Sequence, residues 1–242
     1  MQTIYSSILK SKKQGKKQFA VLVDPDKFEP KVIELSEAAG IDFIMVGGSI
    51  LTNGNLEDCI QTIKKKSVIP VVIFPGNNLQ ISKNADAILL LSLISGRNPE
   101  LLIGKHVIAA PFLRSSNLEV LPTGYMLVES GKQTTALYMS NTAPIPHDKN
   151  DIAMCTAMAG EMLGLKLIYM DAGSGAINPV SSTMIKKVSS NVHIPLIVGG
   201  GINSQEKAVS ACKAGADVIV VGNAIEKDVK LIQSISKAVH KF

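Results

Sequence analysis

The sequence predicts an α/β chain folded as a (β/α)8 barrel, and three observations carry that prediction. Its 242 residues match the usual size of such a barrel and suffice for one large core. Eight short apolar runs recur along it, at 19–23, 42–46, 70–74, 86–91, 124–128, 166–170, 194–198 and 217–221. They read as continuous rather than alternating hydrophobic stretches, the pattern of parallel strands buried on both faces. Glycine-containing turns follow the last three runs: Asp171-Ala172-Gly173-Ser174-Gly175, Gly199-Gly200-Gly201 and Gly222-Asn223. Glycine lets backbone N–H groups approach an anion with no Cβ in the way, and barrels of this class often hold phosphate after strands seven and eight, at the start of a short helix.

The segments between the runs carry helix signals. Pro30 suits the first turn of a helix that Gly40 ends. Asp148 is placed to cap a helix running to about Leu163, with Asp151 in its first turn. Asn203 and Glu206 resemble a capping box, and Gly215 closes that helix. The stretch 75–85, opened by Pro75-Gly76-Asn77-Asn78, is too short for a full helix before the next strand and is expected to be a loop. Segment 98–117 is expected to be helical, although Gly104 and Pro111 oppose it. No composition shift marks a boundary, so residues 1–242 are read as one domain.

Composition narrows the function. Hydrophobic residues make up 46% of the chain, which excludes disorder. Aromatics are only 4%, without tryptophan, which argues against a nucleic-acid partner read by base stacking. The net charge of +5 is concentrated in Lys10, Lys12, Lys13, Lys16 and Lys17 and in Lys64, Lys65 and Lys66. These read as solvated helix ends and loops, or as an attraction to anionic substrates or peripheral contact with an anionic membrane. Cys59, Cys155 and Cys212 form no CxxC pair, as expected of reduced thiols in the cytoplasm. The four histidines lack zinc spacing. No signal peptide or membrane span is visible.

Several rim positions carry chemistry. Asp24, in Asp24-Pro25-Asp26-Lys27, ends the first strand, where a carboxylate points into the barrel mouth. It is placed either to hold Mg²⁺, which takes one or two carboxylates plus phosphate oxygens, or to cap the following turn; Asp26 suits the capping role better. Gly47-Gly48-Ser49 ends the second strand and is either an ordinary turn or the other side of a metal–diphosphate site. Asp171 ends the sixth, where a carboxylate can accept hydrogen bonds from substrate hydroxyls or act as a general base. Ser174 and its flanking glycines can bind phosphate; Tyr169 reads as core, with a phenol that needs a partner if buried.

Taken in order, Asp24-Pro25-Asp26-Lys27, Gly47-Gly48-Ser49, Phe74-Pro75-Gly76, Tyr169 through Gly175, Gly199-Gly200-Gly201-Ile202 and Gly222-Asn223-Ala224-Ile225 resemble the geranylgeranylglyceryl phosphate synthases and their bacterial relatives, the heptaprenylglyceryl phosphate synthases. The resemblance covers essentially the whole chain. It implies a Mg²⁺-dependent prenyltransferase joining the 3-hydroxyl of sn-glycerol 1-phosphate to geranylgeranyl diphosphate in ether-lipid synthesis. It implies Mg²⁺ at Asp24 and Ser49, with the acceptor held by Tyr169, Met170, Asp171, Ala172, Gly173, Ser174 and Gly175, by Gly200 and Gly201, and by Gly222 and Asn223. It further implies Asp171 as the residue that orients or deprotonates the hydroxyl, a barrel whose third helix is replaced by a loop, and a homo-oligomer. Many relatives carry Glu where this chain has Asp171. Loop 75–85 and segment 92–117 are the expected walls of a groove for the prenyl tail. Competing readings are a longer prenyl donor, another phosphate-binding barrel such as a ribosyl-phosphate isomerase or a thiamine-phosphate-type synthase, and a non-catalytic barrel that binds anionic lipid.

Overall fold

Eight parallel strands close into a barrel in chain order in the computed structural model, which describes residues 3–242. The strands are β1 (Gln18–Val23), β2 (Phe43–Val46), β3 (Val71–Ile73), β4 (Ala87–Leu93), β5 (Glu119–Leu127), β6 (Leu167–Asp171), β7 (Leu196–Gly199) and β8 (Val218–Val221). The helices are α1 (Ile4–Lys13), α2 (Lys31–Ala39), α3 (Leu56–Lys66), α4 (Lys105–Ser116), α5 (Thr135–Ser140), α6 (Asn150–Met162), α7 (Ser182–Ser189), α8 (Gln205–Ala214), α9 (Asn223–Lys227) and α10 (Leu231–Val239).

The strands read as unbroken apolar runs because each has two buried faces. Phe43, Met45, Leu167, Tyr169, Ile197, Val218 and Val220 point into the barrel. Their neighbours Ile44, Val46, Ile168, Met170, Val198, Ile219 and Val221 point outward against the helices. Two-residue alternation therefore separates two cores without any change in hydrophobicity. The helix α1 stops the N-terminal end: Ile4 and Ile8 join the inner core, and the Glu119 carboxylate accepts the N–H groups of Ile4 (2.6 Å) and Tyr5 (3.0 Å). That seal leaves the C-terminal end as the mouth.

Between β3 and β4 the chain forms turns and no helix, as the short gap requires. This loop packs directly on the turn after β2. A Cβ on Gly47 would lie 1.9 Å from the Phe74 carbonyl oxygen, so only glycine allows that approach. Gln80 fastens the two together, its Nε2 donating to the Gly48 carbonyl (2.9 Å) while its Oε1 accepts the Gly76 N–H (3.0 Å). With no helix over β3, the outer sides of Ile88 and Leu90 face a groove.

Four local expectations are corrected. Ser204, not Asn203, caps α8, its side chain accepting from Lys207 N. The position before α6 is Lys149, without a side-chain cap, and Asp148 pairs with Lys149 instead. Asp24 caps the short turn Pro25–Lys27, while Asp26 leaves it to bind the second βα loop. The strand expected at 124–128 reaches back to Glu119 through Pro122, a residue that argues against a strand interior. The helix expected in 98–117 is present: a π-helical turn, Glu100–Gly104, leads into α4 with Pro111 inside it.

Candidate active site

The C-terminal mouth opens into a cavity of about 930 Å³, large enough for two small substrates or one long one. Asp171 sits at its floor. It is the last residue of β6 and keeps the inward phase of Leu167 and Tyr169, which is why a carboxylate ends a strand of buried apolar residues. It is 7% exposed. Its Oδ2 accepts the Tyr125 hydroxyl at 2.6 Å and its Oδ1 accepts the Gly173 N–H at 2.7 Å. Burial pushes this carboxyl above the ordinary aspartate range, and the two hydrogen bonds pull partly against it. Each oxygen keeps one lone pair free for a ligand.

Three aromatic rings pack around this carboxylate. Phe74 stacks on Tyr169 (centroids 5.1 Å, planes 15° apart), and Tyr125 meets both edge-on, 5.8 Å from Phe74 and 5.6 Å from Tyr169. Burial, and then the neighbouring Asp171 charge, raises both phenols well above their usual value. Tyr125 therefore stays a neutral donor to Asp171.

The glycine turns meet above that floor. Gly200 takes φ +78°, and a Cβ there would lie 2.5 Å from Gly173 N and 2.6 Å from Asp171 Oδ1. Only glycine fits, both for its backbone angle and for its contact with the carboxylate. Among the described residues, the N–H groups of Ser174, Gly175, Gly200 and Gly201 make no hydrogen bond to protein. These donors, with Gly222 and Asn223 opening α9 beside them, face the cavity.

Across the mouth stand Asp24 and Ser49. A Cβ on Gly48 would be 3.1 Å from Asp24 Oδ1, so the turn after β2 lies against that carboxylate. Asp24 Oδ1 accepts Asp26 N (3.1 Å), and Oδ2 lies 3.6 Å from Lys27 Nζ. Lys27 also binds Glu226 Oε2 at 3.0 Å, the chief cause of its raised pKa. Asp26 is committed elsewhere. It accepts the N–H groups of Thr52, Asn53 and Gly54 and the Thr52 hydroxyl. These bonds, those from Thr52 and Gly54 N–H first, lower its carboxyl to about 2.

The donor set speaks to the implied Mg²⁺. Among the described residues, no three histidine, cysteine or acidic side chains are grouped to hold a metal. One carboxylate and one hydroxyl suit a Mg²⁺ whose remaining ligands are phosphate oxygens and water, rather than one caged by protein. The residues present fit the ion in that form.

Beyond this polar end the cavity becomes apolar. It runs between Ile81 of the loop after β3 and Ala109 and Leu113 of α4, over Ile88 and Leu90. Both walls expected from the sequence line it.

The structure thus gathers Asp24, Ser49, Tyr169, Asp171, Gly173, Ser174, Gly175, Gly200, Gly201, Gly222 and Asn223 around one cavity. Met170 and Ala172 are corrections. Both are fully buried in the outer core, because strand alternation turns every second residue towards the helices. Tyr125 and Lys132, which the sequence reading passed over, line the cavity too. The register Tyr125↔Tyr169 places both rings on the inner face. A pairing of the fifth and sixth runs would have revealed Tyr125. Lys132 follows no pattern that marks it.

Comparison with known proteins identifies the family. The model of the PcrB family matches residues 11–239. The geranylgeranylglyceryl phosphate synthase of Chitinophaga pinensis is 56% identical over 241 residues, covering 98% of this chain and 96% of that protein. The synthase of the same name from Spirosoma linguale is 56% identical over 235 residues, covering 96% and 94%. The crystal structure of (S)-3-O-geranylgeranylglyceryl phosphate synthase from Thermoplasma acidophilum, in complex with its substrate sn-glycerol-1-phosphate, superposes with a TM-score of 0.93 at 34% identity over all of both chains. The chain belongs to the PcrB family, alongside the geranylgeranylglyceryl phosphate synthases.

Proposed function

We propose that this protein joins sn-glycerol 1-phosphate to geranylgeranyl diphosphate through an ether bond and releases diphosphate. The observation that carries the reading is the position of Asp171. It is a buried carboxylate between a set of unengaged backbone N–H donors and a rim carboxylate, in a cavity that continues into an apolar groove. The identities of the relatives and the acceptor bound by the Thermoplasma acidophilum enzyme support it.

The N–H groups of Ser174, Gly175, Gly200 and Gly201 hold the acceptor's phosphate, and Asp171 accepts hydrogen bonds from its hydroxyls. That places the 3-hydroxyl oxygen beside the prenyl C1. The C1–O bond of the donor breaks with its electron pair leaving on diphosphate, and the 3-oxygen forms the new bond to C1. The hydroxyl proton passes to an Asp171 oxygen, whose raised pKa suits it to receive one. Asp24 and Ser49 would hold a Mg²⁺ that, when bound, would supply positive charge to the diphosphate leaving group. Ile81, Ile88, Leu90, Ala109 and Leu113 take the prenyl tail.

The test is incubation of purified protein with sn-glycerol 1-phosphate, Mg²⁺ and prenyl diphosphates from C10 to C35. An ether product, formed best with C20, supports the reading. A best donor of C35 moves the protein to heptaprenyl transfer, and no ether from any donor overturns prenyl transfer altogether.

A further inference from the structure

We infer that Lys132 is a binding residue for the acceptor's phosphate, supplying a positive charge beside the turn after β6; this rests on the acceptor reading above. The turns after β6, β7 and β8 offer neutral N–H dipoles, and a phosphate dianion bound by dipoles alone keeps its full charge. Lys27, in the turn after β1 beside α9, is engaged by Asp24 and by Glu226, whose Oε2 also accepts from Asn223 Nδ2 (3.3 Å). Lys132 stands on the acceptor side. A Cβ on Gly175 would lie 3.2 Å from Lys132 Nζ and 3.8 Å from Asn223 Oδ1, so the ammonium sits where the turn after β6 meets the start of α9. It lines the cavity with Gly175 and Asn223, and among the described residues it makes no salt bridge.

The loop that carries Lys132 is held on both sides of it. Before it, the Ser130 carbonyl accepts Asn178 N (3.1 Å), and the Ser130 hydroxyl donates to the Lys132 carbonyl (3.3 Å). After it, the buried Thr134 caps α5 and packs on Gly173. The loop after β5 is thus docked onto the loop after β6, and a long flexible side chain starts from a fixed base. An uncompensated ammonium aimed at unengaged N–H donors is the arrangement expected for a phosphate oxygen shared between them.

Calorimetric binding and steady-state kinetics of wild type, Lys132→Met and Lys132→Arg test this. Lys132→Met is expected to weaken binding of sn-glycerol 1-phosphate about tenfold, the size of one charge-assisted hydrogen bond. Its KM for that substrate rises alike, while kcat and the KM for the prenyl diphosphate stay within about twofold. Lys132→Arg is expected to recover most of the affinity, and raised salt to shrink the wild-type advantage. Lys132 is exposed, so Lys132→Met should melt with the wild type. Equal affinity of wild type and Lys132→Met overturns the inference while leaving the acceptor reading intact. So does a loss confined to the prenyl diphosphate KM, which would place the ammonium on the donor. A wild type that does not bind sn-glycerol 1-phosphate removes both readings.

Discussion

Replacing Tyr125 by Phe tests whether Asp171 acts through its ionisation. The substitution removes one oxygen and keeps the ring, so the edge-on packing against Phe74 and Tyr169 survives. What is lost is a 2.6 Å hydrogen bond from a neutral phenol to a buried carboxylate. A short hydrogen bond to a charged group at a buried site is worth about 1.5–3 kcal/mol, and most of that stabilises the ionised form. Without it the Asp171 pKa, already raised by burial, rises further. A base works only when deprotonated, so the acid limb of the kcat/KM profile moves to higher pH. On the acid side of both limbs the loss is about tenfold or more, since each 1.4 kcal/mol is a factor of ten. Above the new limb the activity returns towards wild type. The assay is ether formation across pH 5.5–9, with the melting temperature followed in parallel. A uniform loss at every pH, with the acid limb unmoved, would refute the reasoning and make Tyr125 a packing residue only.

Asp24→Ala is expected to lower ether formation by at least about 100-fold, as loss of leaving-group stabilisation does. Removing the cap on Asp26 N costs about 1 kcal/mol of stability, so folded but inactive protein is the expected result, and retained turnover would refute the role of Asp24. Chelation of Mg²⁺ should stop the wild-type reaction, reversibly on readdition; continued turnover in excess chelator would contradict a metal requirement. Gly200→Ala forces a Cβ against Asp171 Oδ1 and Gly173 N at φ +78°, which is expected to cost about 1–3 kcal/mol and most of the acceptor affinity; unchanged binding by calorimetry would show that the turn yields. At the sealed end of the barrel, the hydrogen bond to Asp42 raises the His240 pKa. The stability from this pair is full below the unfolded value of ~6.5 and fades as pH rises through the raised folded value. His240→Gln should therefore lower the melting temperature at pH 5.5 by an amount worth under about 1 kcal/mol and have no effect at pH 9. An equal effect at both pH values would contradict the linkage.

The barrel was legible because strands with two buried faces announce themselves as apolar runs, and the missing third helix because 75–85 cannot hold one. The glycine turns were legible for the same reason that they are needed: no other residue fits Gly200 beside Asp171. What escaped depends on contacts between distant segments. Asp26 looked like a cap in its own strand–turn–helix context, yet its partners, Thr52 to Gly54, lie one βα unit away. Met170 and Ala172 share a motif with Tyr169 and Asp171 but face the opposite way, which a contiguous motif hides and a two-residue period reveals. Pro122 masked the start of β5, and so the inward phase of Tyr125. Lys132 is one lysine in a polar loop, and its chemistry comes from the turn against which the loop docks.

The account centres on one mouth built from two separate halves, a glycine-turn half for the acceptor and an Asp24–Ser49 half for the diphosphate. Calorimetric titration of Asp24→Ala with each ligand tests this most directly. The account predicts wild-type affinity for sn-glycerol 1-phosphate and loss of binding of the Mg²⁺–diphosphate complex. Loss of both, or retention of the diphosphate complex, would contradict it.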